Sequence, residues 1–186
     1  MALYYAHDKL QDCTIKYPTR RSVMLKLLNS RRSVRRFKPD AVSEKDIQDA
    51  LEAAMNAPSA INEQAWQFIV LSGSVLEEFY KINTNTPKGA PTGILICQDL
   101  QNEKAKGYAV QDCSAATLNI LLAIHAKGLG GVWTTVFPQN VPHIKALLNI
   151  PDGIQPFSFV PVGYPLEKPP KSESRYDSKK VHKNRW

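Results

Sequence analysis

Three stretches of this sequence carry side chains whose types and spacing suit the grip of an anionic, planar molecule. Arg31-Arg32-Ser33-Val34-Arg35 sets arginines beside a serine hydroxyl. A guanidinium presents a planar fork that matches phosphate oxygens, and the hydroxyl adds a neutral donor. Alternate residues of an extended segment point the same way, so Arg31, Ser33 and Arg35 can share one surface. Taken alone, such a turn is also ordinary solvated surface. The second stretch, Pro58-Ser59-Ala60-Ile61-Asn62-Glu63-Gln64-Ala65-Trp66, is a polar loop between a helical and a strand pattern. Loops held by rigid elements are favoured places for binding residues, and the same stretch reads equally as a connector whose Trp66 fills the core. The third, Trp133-Thr134-Thr135, follows a glycine pair, and a core strand explains it equally well.

No side-chain nucleophile or metal motif accompanies them. His7, His125, His143 and His182 share no metal-ligand spacing, and Cys13, Cys97 and Cys113 form neither an even set nor a CxxC pair. Cys97 and Cys113 both sit in apolar patterns and read as buried packing residues. There is no Walker loop, HExxH or GxSxG, and Gly128-Leu129-Gly130-Gly131 ends a helix instead of opening one. Catalysis on such a chain belongs to a bound cofactor.

The elements that must position these stretches are legible from periodicity. A short helix over about 20–30 precedes the arginine segment. Ser43 caps the next helix, with Asp46 at its third position and Val42 stapling onto Ile47; Ile47, Ala50, Leu51 and Ala54 then recur at helical spacing. Gln67–Leu71 and Gly93–Cys97 are β-branched runs that read as buried strands, with a helix over Ser74–Tyr80 and a turn-rich loop over Asn83–Pro91 between them. From Tyr108 to Lys127 the sequence is apolar over most of a helix circumference, the mark of a central buried helix, and Gly128 fits the left-handed position that ends it. Gly131–Thr135 reads as one strand, Asn140 as the cap of a helix carrying Ile144, Leu147 and Leu148, and Phe157–Val162 as a last strand. Pro161 argues for an edge or a bulge there.

The length of 186 residues suits one domain, 1–186, with an N-terminal extension over about 1–18 and a polar C-terminal arm over about 166–186. Tyr176, Val181 and Trp186 give that arm side chains to pack against a partner subunit. No apolar run reaches membrane-spanning length, and the N-terminus has no apolar signal region, so the expected location is cytoplasmic with no membrane partner. The formal charge is +7, and 15 of the 24 basic residues fall in 19–38 and 168–186. Concentrated basic charge is the footprint of a polyanion, either a phosphorylated cofactor or nucleic acid. The basic segments lack interleaved aromatics and any nucleic-acid fold signature, so no nucleic-acid partner is expected.

The order of these pieces resembles the FMN-dependent nitroreductase family from about Leu25 to Arg175. The matching residues are Arg31-Arg32-Ser33-Val34-Arg35-Arg36-Phe37, Ala57 to Phe68, the helix ending His125-Ala126-Lys127-Gly128-Leu129-Gly130, and Val162-Gly163-Tyr164-Pro165. The resemblance implies an α+β fold, a central mixed sheet flanked by helices, in an intertwined homodimer with the C-terminal arm exchanged onto the partner. It implies FMN as cofactor, NADH or NADPH as hydride donor, and a small nitroaromatic, quinone or similar oxidised acceptor reduced by a ping-pong mechanism. By motif position, Arg31, Arg32, Ser33 and Arg35 would hold the phosphate, ribityl chain and pyrimidine edge, with Arg35 stabilising negative charge at that edge. Pro58, Ser59, Ala60 and Asn62 would approach the flavin from the other subunit, Trp133, Thr134 and Thr135 would lie by the ring, and Arg175 would return to the phosphate. The sequence departs from the family pattern at Ala65, where proline is usual, and in its shortness. Of Asn83, Asn85 and Lys88, no spacing selects one as a flavin contact. A non-catalytic flavin-binding or flavin-handling protein on the same fold is the leading alternative, and a basic nucleic-acid-binding protein, suggested only by charge, is the second.

Overall fold

The computed structural model describes residues 23–101, 103–171 and 173–186. The expected N-terminal extension, His7, Cys13, Arg20 and Arg21 lie outside the described residues.

Helix α1 (Val23–Ser30) leads into the extended arginine segment. Helix α2 (Glu44–Met55) starts at Ser43, whose hydroxyl accepts from the Asp46 N–H and donates to the Asp46 carboxylate, so the expected cap forms. Strands β1 (Trp66–Ser72) and β2 (Thr92–Asp99) flank helix α3 (Gly73–Ile82). Helix α4 (Ala109–Ala126) follows, then the two-residue strands β3 (Gly130–Gly131) and β4 (Thr134–Thr135), helix α5 (Val141–Leu148) and β5 (Ile154–Gly163).

The sheet is antiparallel in the order β1-β2-β5-β3, with β4 also on β5. Alternation along β2 divides the core. Ile94 and Ile96 face α2 and α4 with Ala50, Ala54, Cys113, Ile120 and Ile124. Leu95 and Cys97 face α3 and α5 with Leu76, Phe79, Ile144 and Phe159. Side chains of successive strand residues point to opposite faces, so a strand apolar at every position must be covered on both.

Several expectations change. β1 is an edge strand with only Trp66 and Leu71 buried, where a buried strand was expected. The run Gly131–Thr135 is broken at Val132 and Trp133 into β3 and β4, because the chain pairs with β5 only at its two ends. β5 is central and begins at Ile154, where Pro161 had pointed to an edge or a bulge; it is paired on both sides, and its register against β2 shifts between Ile96 and Cys97. Its prolines sit where the ladders are interrupted: Pro156 at the register shift beside Ile96 and Cys97, and Pro161 opposite the gap between β3 and β4. Asn140 precedes α5 without capping it. A 3-10 turn, Pro138–Asn140, leads in, and the Asn140 amide donates to Asn83 instead.

Helix α4 buries Ala109, Cys113, Ala116, Thr117, Ile120, Leu121 and Ile124 but leaves Val110 and Leu118 exposed, so it is less enclosed in one chain than its sequence implies. Among the described residues, no helix is long and apolar enough to cross a membrane, and no group of three or more His, Cys, Asp or Glu is placed to hold a metal.

Candidate functional site

The arginine segment is laid against the sheet edge by its apolar members. Val34 and Phe37 are buried; the Val34 N–H donates to the Gly131 carbonyl at 2.9 Å, and Phe37 bridges to Pro165. Gly130 permits this approach, since a Cβ there would run into the Val34 side chain. With Val34 turned inward, Ser33 and Arg35 on either side of it are exposed, as alternation requires.

At the start of this segment Arg31 and Arg32, both half-buried, meet Arg175 from the C-terminal arm. They line a cleft of about 680 Å³ together with Lys26, Glu173 and Tyr176. Burial pulls the Arg31 guanidinium below its ordinary value, and the positive charges of Arg32 and Arg175 add to the effect. Converging like charges are held at a cost that an anion relieves, so the donor set fits a phosphate dianion. Ser30 also lines the cleft, and its hydroxyl lies 2.8 Å from His125 Nε2 near the end of α4.

The 58–62 loop is placed elsewhere. Pro58 and Asn62 are exposed, while Ser59 and Ala60 are half-buried. Ala60 N–H donates to Asp112 Oδ1 at 2.9 Å, Ser59 Oγ accepts from Gln64 N–H at 3.0 Å, and Asn62 Oδ1 accepts from Gln64 Nε2 at 3.2 Å. Asn62 lines a separate cleft of about 300 Å³ with Ile61, Glu63, Gln64, Asp99 and Lys104. Asp112 and His125 are thirteen residues apart on α4, so within one chain the loop and the arginine cluster are roughly 20 Å apart along the helix.

Trp133 is 37% exposed and sets its ring edge-on to Phe157, 6.0 Å between centroids. Thr134 is buried; its hydroxyl donates to the Phe159 carbonyl at 2.9 Å and lies 3.2 Å from Thr86 Oγ1, leaving only its backbone for other contacts. The Thr135 carbonyl accepts from Asn85 Nδ2 at 3.0 Å and from Asn83 Nδ2 at 3.4 Å. Of the three residues left open by sequence, Asn83 is fully buried and holds this junction, Asn85 is exposed beside Thr135, and Lys88 is exposed.

Sequence reasoning missed Asp112 and, though Glu63 stands in the second stretch, gave it no role; these two acids brace the loop. Glu63 accepts from the Lys104 and Ala105 N–H groups. Asp112 had a signal: a lone acid on the apolar face that also carries Cys113, Ala116 and Ile120. The buried thiols of Cys97 and Cys113 are both pushed up to about 12, chiefly by desolvation, and so are not nucleophiles.

Comparison with known proteins follows the same outline. The sequence model described as "Nitroreductase family" matches residues 28–88 and 77–164. The protein called "Putative NADH dehydrogenase/NAD(P)H nitroreductase" of Methanothermobacter thermautotrophicus is 40% identical over 168 residues, covering 88% of this chain and 87% of its own. The iodotyrosine deiodinase of Thermotoga neapolitana is 28% identical over 78% of this chain and 90% of its own. The solved FMN-dependent nitroreductase of Clostridium difficile superposes with a TM-score of 0.79 at 28% identity, covering 88% of this chain and 100% of that one.

Proposed function

The chain belongs to the nitroreductase family, and from that membership we propose that it is an FMN-dependent NAD(P)H oxidoreductase whose site is completed by a second copy. The observation that carries this reading is the convergence of Arg31, Arg32 and Arg175 on one cleft, since these residues come from opposite ends of the described chain.

Arg31, Arg32 and Arg175 hold the phosphate as charge-assisted donors, and Ser33 adds its exposed hydroxyl along the same segment. Arg35, exposed beyond Val34, would offset negative charge at the pyrimidine edge of the flavin. Trp133, partly exposed against Phe157, and the backbone at Thr134 and Thr135 would border the ring. Pro58, Ser59, Ala60 and Asn62 reach it from the second copy, because the length of α4 keeps them away from the arginines of their own chain. Val110 and Leu118 on α4 and Met55 on α2 are exposed apolar side chains available for that second copy to cover. Bound FMN supplies the hydride chemistry, accepting from NADH or NADPH and passing electrons to a small oxidised acceptor such as a quinone or nitroaromatic in a ping-pong cycle.

The test is spectral and kinetic. The purified chain should carry flavin absorbance, elute as a dimer, and oxidise NADH or NADPH with menadione or a nitroaromatic, giving parallel double-reciprocal lines. A colourless protein that takes up no FMN overturns the reading. A yellow protein inert to both nucleotides indicates a flavin-handling role instead. Similarity to an iodotyrosine deiodinase makes an iodinated phenol the second acceptor class to assay.

A further inference from the structure

Three of the five residues 60–64 are left-handed: Ile61 at φ 47°, Asn62 at φ 57° and Gln64 at φ 58°. Asparagine tolerates this region, but a β-branched isoleucine does not, so Ile61 stays there only where its surroundings over-determine it. The far end of the turn is held by Glu63 on the Lys104 and Ala105 amides, and by Ser59 Oγ on the Gln64 N–H. The near end is held from α4. Asp112 is 2% exposed, and its Oδ1 accepts from Ala60 N–H at 2.9 Å. Its Oδ2 is buried without a hydrogen-bond partner among the described residues. Buried carboxylate oxygens are normally satisfied, so a half-paired acid under a strained turn calls for a reason beyond bracing the helix.

We propose that Asp112 is a positioning residue for the flavin: it fixes the strained Ala60–Asn62 turn through the Ala60 amide and so sets where Ala60 and Asn62 meet the cofactor. Asp112 acts only through that turn. The inference rests on the assignment of residues 58–62 to FMN made above. It also explains why a costly isoleucine conformation is kept in an exposed loop: the shape of the turn is what binding requires.

The experiment compares the full chain with Asp112→Ala, Asp112→Asn, Asp112→Glu and the double variant Asp112→Ala/Ile61→Gly. FMN affinity is read by quenching of flavin fluorescence, folding by circular dichroism, and the Ala60 amide by hydrogen exchange. Asp112→Ala should weaken FMN about tenfold and expose the Ala60 amide to exchange. Asp112→Asn keeps an acceptor for Ala60 and should stay within about threefold of the parent. Ile61→Gly should recover most of the loss in the Asp112→Ala background, because glycine adopts the left-handed region freely. Should Asp112→Ala not fold, Asp112→Glu shifts the carboxylate by one methylene and should still weaken binding. FMN affinity unchanged in Asp112→Ala, or in Asp112→Glu where that is the folded variant, overturns the proposal. So does an equal loss in the alanine, asparagine and double variants. A parent chain that binds no FMN overturns the underlying functional reading instead.

Discussion

Ser30 Oγ and His125 Nε2 stand 2.8 Å apart, joining the end of α1 to the end of α4 beside the arginine cleft. The imidazole is held below its ordinary value by burial first, then by the charges of Arg31 and Arg32. Between the folded and unfolded values the folded chain binds fewer protons, so His125 contributes stability above the unfolded value that is lost as pH falls through the folded one. In an NMR titration His125 should titrate below an ordinary histidine. Phosphate or FMN in the cleft should raise its value by offsetting the arginine charges. An unliganded value at or above the ordinary one would refute this account.

Replacing Arg31 and Arg175 together by alanine should weaken FMN retention by about 2–4 kcal/mol, the scale of two charge-assisted phosphate contacts discounted for solvent. Arg31→Lys should lie in between, since a point charge replaces a fork. Isothermal titration with FMN measures both. Undiminished affinity in the double variant would remove the cluster from the phosphate site.

Gly130→Ala places a methyl against Val34, where the arginine segment crosses β3. The segment must move or Val34 must leave its pocket, at a cost of about 1–3 kcal/mol. Thermal unfolding should show the loss, and FMN affinity should fall with it, because Ser33 and Arg35 flank the displaced residue.

Asn83 donates to Thr86 Oγ1 at 2.8 Å and accepts from Asn140 Nδ2 at 3.1 Å while fully buried. Asn83→Ala removes both bonds, leaving Thr86 Oγ1 only its contact with the Thr134 hydroxyl, and should cost about 1–3 kcal/mol by chemical denaturation. A change inside experimental error would show that water replaces the amide.

Peptide mapping after brief alkylation at pH 8 should find Cys97 and Cys113 unmodified in the native protein and labelled once it is denatured. Native labelling of either would contradict its burial.

The sequence by itself determined what depends on short-range spacing. The Ser43 cap, the long helix that stops just before Gly128 and the strands over Gln67–Leu71 and Gly93–Cys97 follow from periodicity and capping chemistry, which neighbouring residues carry. The order of its motifs also carried the family resemblance, and with it the expectation that Arg175 would return to the phosphate. Tertiary structure decided whatever depends on partners distant along the chain. Pro161 pointed to an edge or a bulge because a missing donor is costly in a ladder, and the gap between β3 and β4 lets it sit in a central strand. Nothing in a local window pairs Ala60 with Asp112, 52 residues on, or could show that α4 separates the loop from the arginines. Local patterns encode which elements form. Which polar groups meet is set by how those elements pack, because a buried donor must find its acceptor wherever the fold puts one.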